Sequence, residues 1–161
     1  MTGATGVAAL TTAVVGAVDV RQGQRRGIRL LIAYAVVLML IAFWPVPVDR
    51  GASGFMRSIF KGVPWLTYDV IETTANVLLF VPLGVLMALA LPLQRGLVVP
   101  LALATTLVIE SGQALFLAER TPSLRDIVAN VLGAALGLAM VQLIERRVAA
   151  ELTGAVLQRT K

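Results

Sequence analysis

The sequence predicts an all-α, polytopic membrane protein: a small bundle of about four transmembrane helices with both termini in the cytoplasm. Composition is the first observation, because 58% of the 161 residues are hydrophobic and only 14% are charged, whereas a soluble domain carries about 25% charged residues. The second is a mean hydropathy of +0.86, which is more apolar character than one core of this size can bury. The third is a series of apolar runs, each close to the ~20 residues that a membrane-spanning helix needs.

Four apolar runs are expected to span the membrane, at about residues 30–48, 69–91, 97–117 and 126–144. Pro45 and Pro47 end the first run, and Pro82 lies inside the second, where we expect a kink. The runs define a transmembrane domain at 28–147, with an N-terminal segment before it (1–27, weakly apolar and then Arg-rich) and a cytoplasmic tail after it (148–161). Residues 1–20 fit either a disordered segment or a short helix against the membrane.

The residue types that the sequence lacks exclude several kinds of catalytic and metal-binding site. The sequence has no Cys and no His, which excludes disulfides, thiolate nucleophiles, Cys-based metal sites and imidazole catalysis. We therefore predict no cofactor and no metal site. The net charge is +5, and because the basic residues flank the apolar runs, they indicate topology and contact with membrane lipids rather than nucleic-acid binding.

Lysine and arginine are divided unequally between the two sides of the predicted bundle. One side carries Arg21, Arg25, Arg26, Arg29, Arg95, Arg146, Arg147, Arg159 and Lys161, and the other carries Arg50, Arg57, Lys61, Arg120 and Arg125. By the positive-inside rule the richer side faces the cytoplasm, so loops 49–68 and 118–125 face outward. The first of these loops mixes aromatic and basic residues and ends with Trp65 and Tyr68, which is typical of an interfacial helix.

Six acidic and amide side chains occupy the outer ends of three predicted spans: Glu72, Asn76, Glu110, Gln113, Asp126 and Asn130. Each span contributes an acid and an amide three or four residues apart, so the two share one helix face. Polar side chains in a membrane span usually face the bundle interior or a wet cavity. The spacing therefore predicts one shared polar site at the outward end, with Arg120 and Arg125 at its mouth.

The fourth span carries two further signals. Gly133 and Gly137 form a Gly-x-x-x-Gly pattern on the face of Asn130, and this pattern lets another helix approach closely. Residues 72–78 also echo residues 126–132, since each stretch has an acid, three residues and then Asn-Val-Leu. A degenerate parallel repeat and a chance match both explain the echo.

The same residues also have structural interpretations. The amides Asn76, Gln113 and Asn130 either contact a ligand or hydrogen-bond between helices. Ser123 and Asp126 match the Ser-x-x-Asp pattern of a capping box at the start of the fourth helix.

The arginines and Glu110 leave similar alternatives. Arg120 and Arg125 either bind a phosphate or carboxylate group or pair with nearby acids, which are Glu110, Glu119 and Asp126. Glu110 is either a proton carrier or general base or the ion-pair partner of one of these arginines, and we favour the pair.

Three motifs follow one another along the chain: Asn76-x-x-x-Phe80-x-Pro82-x-Gly84, Glu110-x-x-Gln113, and Arg120-x-x-Ser123-x-x-Asp126-x-x-x-Asn130-x-x-Gly133-x-x-x-Gly137. Together, over residues 30–145, they resemble the VanZ-like family of bacterial multi-pass membrane proteins, whose namesake is associated with resistance to the glycopeptide teicoplanin. The resemblance implies a place in the bacterial plasma membrane and a cell-envelope role, but no known reaction. It marks as candidate functional positions Asn76, Glu110, Gln113, Arg120, Asp126 and Asn130. Many relatives carry Asp where this chain has Glu72, so that position departs from the pattern.

Three functions remain open at this point. The leading hypothesis is a binding or accessory module whose outward pocket takes an amphiphile: an anionic lipid, a lipid-linked wall precursor, or a lipoglycopeptide such as teicoplanin. The second is a membrane-surface enzyme with Glu110 or Asp126 as general base and oxygen ligands for a divalent cation, which the lack of a nucleophile motif disfavours. The third is a structural subunit of a larger complex that docks through the Gly133 and Gly137 face, and a homo-oligomer is open as well.

Overall fold

The protein is a bundle of long helices. A computed structural model describes residues 3–44, 68–117 and 123–159. Within these ranges the helices are α1 (Gly3–Ala42), α2 (Tyr68–Ala90), α3 (Val98–Phe116) and α4 (Leu124–Arg159), with a short 3-10 helix (Arg95–Leu97) between α2 and α3. The described ranges contain no strand. The predicted all-α helical bundle is confirmed.

The second, third and fourth predicted spans each fall on one of these helices. Three stretches are long and apolar enough to cross a membrane by length and composition: Val70–Ala90, Arg95–Phe116 and Leu124–Ala155. They match the second, third and fourth predicted spans. The first predicted span, 30–48, begins in α1, where residues 30–44 carry no charge, and its last four residues lie outside the described residues. The interfacial helix predicted for loop 49–68 also lies outside them, except for Tyr68.

The first and last helices extend further than the spans that we predicted. α1 begins at Gly3, so residues 3–20 continue the helix that leads into the first span. α4 continues to Arg159 and includes most of the predicted tail at 148–161. α2 passes through Pro82 without interruption. In the turn before that proline, the Tyr34 hydroxyl of α1 donates a hydrogen bond to the carbonyl of Leu79 at 2.6 Å.

α2 and α4 form the centre of the bundle. They run in the same direction and share the most extensive contact between any two helices of the described ranges. A Cβ added at Gly84 would collide with the backbone of Ala134, and one at Gly137 would collide with the carbonyl of Val81. Glycine lets the two backbones touch here. Because α2 occupies the Gly133 and Gly137 face, the structural-subunit hypothesis loses the docking surface on which it relied.

The other two helices flank this central pair. α1 packs mainly on α2 and α3 packs mainly on α4, while α1 and α3 meet only slightly. At the end where α2 finishes, Arg95 makes a two-pronged ion pair with Glu145 of α4, with one contact at 2.6 Å. Gln24 of α1 donates to the Ala90 carbonyl at 3.2 Å. The opposite end, where α1 and α3 finish and α2 and α4 begin, contains the polar residues.

Candidate functional site

A partly open cavity of about 180 Å³ lies at the end where α2 and α4 begin. We call it the polar cavity. All six acidic and amide residues singled out in the sequence line it: Glu72, Asn76, Glu110, Gln113, Asp126 and Asn130. Its other described lining residues are apolar: Leu38, Ile41, Ala42, Ile71, Ala75, Leu79, Phe80 and Ile109. The structure thus brings together, from three helices, the residues that spacing alone assigned to one site.

Asn130 is the most deeply buried amide of the cavity, with 4% of its surface exposed. Its Nδ2 donates to Oγ1 of Thr106 on α3 at 2.8 Å, and this bond fixes the side chain between the two helices. Its Oδ1 is buried and has no hydrogen-bond partner among the described residues. Asn130 therefore links helices, as one interpretation expected, and it still holds a buried acceptor beside the cavity.

Asp126 also leaves a buried acceptor, and the start of α4 explains why. In a capping box its carboxylate would accept the backbone N–H of Ser123. That N–H instead donates to Oε2 of Glu110 on α3 at 3.1 Å. Oδ1 of Asp126 is buried without a partner in the described part of the chain. The local donor bonds to another helix instead, and this leaves Oδ1 of Asp126 without the partner that a capping box would give it.

Gln113 connects the cavity to a helix that sequence reasoning did not place there. Its Nε2 donates to the backbone carbonyl of Ala42, in the last turn of α1, at 2.8 Å. Leu38 and Ile41 of α1 add apolar wall. This contact could not be read from the sequence, because the end of α1 carries no polar side chain to mark it. A lone Tyr34 inside an otherwise apolar run was a signal that α1 contacts another helix.

Of the two arginines predicted at the mouth of the site, the structure describes one, Arg125. Arg125 pairs with Glu72 of α2, with Nη2 and Oε2 3.7 Å apart and 44% of the arginine side chain exposed. Arg120 lies outside the described residues, as does Glu119. The pairing of Arg125 with Glu72 crosses from α4 to α2, and Glu72 is not among the three nearby acids that we predicted as partners of this arginine.

The lining groups are suited to accepting hydrogen bonds and binding positive charge. Among the described lining residues, three are acidic and none is basic, and none carries a hydroxyl, thiol or imidazole. In the described ranges no group of three or more acidic side chains is arranged to hold a metal ion. An enzyme built on this cavity would have to rely on its carboxylates, those of Glu72, Glu110 and Asp126, as base or nucleophile.

Comparison with known proteins gives one result. A sequence-family model described as VanZ/LLP1 matches residues 31–145. No curated protein and no solved structure matches the chain. The matched range contains every described residue that lines the polar cavity.

Proposed function

The chain belongs to the VanZ/LLP1 family, and from that premise we propose that it is a membrane binding module whose polar cavity holds the head of an amphiphilic ligand. One observation carries the proposal: six polar residues from three helices surround a single cavity. The helices around it expose leucines such as Leu78, Leu107 and Leu132 on their outer surfaces. These apolar surfaces suit the acyl chains of lipid, and the cavity suits a polar head.

The energetics of the cavity favour binding over a purely structural role. A buried acceptor that lacks a donor costs about 1–3 kcal/mol. Asn130 and Asp126 both line the cavity and both hold such a buried acceptor. An apolar side chain at either position would avoid that cost, although at position 130 it would also remove the bond to Thr106. Polar groups retained at such a cost inside a membrane protein are typical of a functional site.

In this proposal the termini lie in the cytoplasm and the cavity opens toward the outside of the cell membrane. The ligand is a component of the cell envelope that keeps its apolar chain among lipids while its head enters the cavity. A contribution to teicoplanin tolerance, which the family resemblance implies, is part of the same proposal. It predicts that cells expressing the chain survive teicoplanin better than cells lacking it, and that Glu110→Gln removes the difference.

The proposal is tested by filling the cavity. Ala75 lines it and is exposed, and Ala104 on α3 is also exposed but is not among the lining residues. We expect the protein purified from membranes to retain a bound amphiphile that mass spectrometry identifies. Ala75→Phe should lose it because the new ring occupies the cavity, while Ala104→Phe should keep it. Equal retention by both variants would show that the cavity is not the binding site.

A further inference from the structure

Two buried oxygen atoms of the polar cavity have no hydrogen-bond donor among the described residues. They are Oδ1 of Asn130, whose residue is 4% exposed, and Oδ1 of Asp126. Both residues line the cavity. The amide nitrogen of Asn130 donates to Oγ1 of Thr106, so in this arrangement Thr106 does not satisfy the amide oxygen. A ligand that fits this cavity must therefore supply hydrogen-bond donors.

The charge of the cavity favours a cation as that donor. The described lining residues include three acids and no base. A cation that donates to these oxygens gains charge-assisted hydrogen bonds, which are roughly twice as strong as neutral ones. A primary ammonium carries three N–H donors, as the lysine side chain does. A quaternary ammonium has the same charge and no N–H, so it would leave both oxygens unsatisfied.

The size of the cavity and the adjacent Arg125 restrict which polar head group the ligand can have. A cavity of about 180 Å³ is close to the about 150 Å³ that holds one benzene molecule, so the inner group is small. Arg125 contacts the lining residue Glu72 at 3.7 Å and is 44% exposed. A guanidinium binds phosphate well. An acidic cavity beside an exposed arginine matches a zwitterionic head with its ammonium inside and its phosphate outside.

We propose that the polar cavity recognises a phosphoethanolamine head, a refinement that rests on the proposed function. Oδ1 of Asp126 and Oδ1 of Asn130 accept N–H bonds from the primary ammonium, and Arg125 contacts the phosphate. Two sources supply this chemistry: the aminophospholipid of the bilayer and free phosphoethanolamine. We assign the lipid, because the cavity lies within a bundle whose outer surface is apolar.

The test uses a lipid series in which donors are removed while the charge is kept. The full chain in detergent micelles is titrated with phosphatidylethanolamine, its N-monomethyl and N,N-dimethyl derivatives, phosphatidylcholine and phosphatidylglycerol, and bound lipid is counted by native mass spectrometry. The N-monomethyl lipid keeps two N–H donors, one for each oxygen, so we expect the main losses of affinity at the second and third methylations. Phosphatidylcholine should bind about tenfold or more weakly than phosphatidylethanolamine. Phosphatidylglycerol, which lacks the cation, should bind at least as weakly as phosphatidylcholine.

Variants connect this preference to the two oxygens. Asp126→Asn should remove most of the preference, whereas Glu151→Gln, an exposed acid further along the same helix, should keep it. Asn130→Leu is made together with Thr106→Val, so that no partner is left unpaired and the protein stays folded. That double variant should keep only part of the preference for phosphatidylethanolamine, because Asp126 still accepts an N–H bond from the ammonium.

The outcomes separate this inference from the proposed function. If phosphatidylcholine or phosphatidylglycerol binds as tightly as phosphatidylethanolamine while Ala75→Phe still abolishes binding, the ammonium assignment is wrong and the binding module stands. If Ala75→Phe leaves all lipid binding unchanged, both are wrong. If free phosphoethanolamine displaces the lipid at equal concentration, the head chemistry is supported and the assignment to a lipid source is overturned.

Discussion

α2 and α4 begin with the same pattern, an acid followed four residues later by asparagine, and yet the two copies have different surroundings. Both copies line one cavity, and the helices that carry them run side by side. On α2, the carboxylate of Glu72 has a cationic partner in Arg125, and Asn76 is half-buried. On α4, Asp126 and Asn130 each hold a buried oxygen without a partner in the described ranges.

The difference comes from the neighbouring helix rather than from the pattern. α4 packs against α3, where Thr106 takes the Asn130 amide and Glu110 takes the Ser123 backbone N–H that Asp126 would otherwise accept. Beside α2, the cavity wall is formed by the apolar Leu38 and Ile41 of α1. A repeated motif therefore does not imply repeated chemistry, and the hydrogen-bond partners of each copy decide what it can bind.

The largest expected effect comes from separating the two helices. Gly137→Ala places a Cβ against the carbonyl of Val81, and since that contact is backbone, no side-chain movement relieves it. We expect a loss of about 3 kcal/mol or more in stability, measured by denaturant titration in micelles followed by circular dichroism. Gly154→Ala, which meets nothing within 4 Å, should be neutral or slightly stabilising. Equal stability of the two variants would mean that α2 and α4 do not touch as described.

The second effect contrasts the two acids. Asp126→Asn removes the charge whose Oδ1 lacks a partner among the described residues, so we expect phosphatidylethanolamine affinity to fall about tenfold with no loss of stability. Glu72→Gln should reduce affinity less, because the charge of Glu72 is already shared with Arg125. The measurement is the same lipid titration, together with thermal unfolding. A larger loss of binding for Glu72→Gln would reverse the roles of the two copies.

A third effect contrasts the two asparagines through a double-mutant cycle. Asn130→Leu and Thr106→Val should each destabilise by about 1 kcal/mol, since each leaves a buried partner unpaired. The double variant should lose less than the sum, with a coupling of about 0.5–1.5 kcal/mol. Asn76→Leu should change stability by less than about 0.5 kcal/mol. Strict additivity in the cycle would contradict the 2.8 Å bond between Asn130 and Thr106.

The smallest effect belongs to the opposite end of the bundle. Arg95 and Glu145 form an ion pair with side chains that are 24% and 50% exposed. We expect Glu145→Gln to cost at most about 1 kcal/mol, because water screens exposed pairs. Lipid preference should stay unchanged, since neither residue lines the polar cavity. A change in lipid preference would place part of the binding site at this end.

The sequence was sufficient for the fold class and for the polar side chains of the cavity. Spans are set by runs of apolar residues, and faces are set by spacings of three or four residues, so both signals are local. Glu72 with Asn76, Glu110 with Gln113, and Asp126 with Asn130 could be found in this way.

The partners of those side chains could not be predicted. Gln113 bonds to a carbonyl 71 residues away in the chain, and a backbone carbonyl has no sequence signature. The pairing of Arg125 with Glu72 depends on α2 and α4 lying side by side, which follows from Gly133 and Gly137 only once their partner helix is known. Ser123 directly precedes α4, as the capping pattern predicted, but its backbone N–H bonds to the more distant Glu110 instead of to Asp126.

The glycine contact between α2 and α4 also determines which helices of the bundle can move relative to each other. Where two helices are in backbone contact, no layer of side chains between them can rearrange. α2 and α4 should therefore resist changes in their separation. α1 and α3 touch each other only slightly, and the bond from Gln113 to Ala42 joins their ends beside the cavity. We therefore expect a change in bilayer thickness or lateral pressure to shift α1 and α3 relative to each other more than it separates α2 from α4.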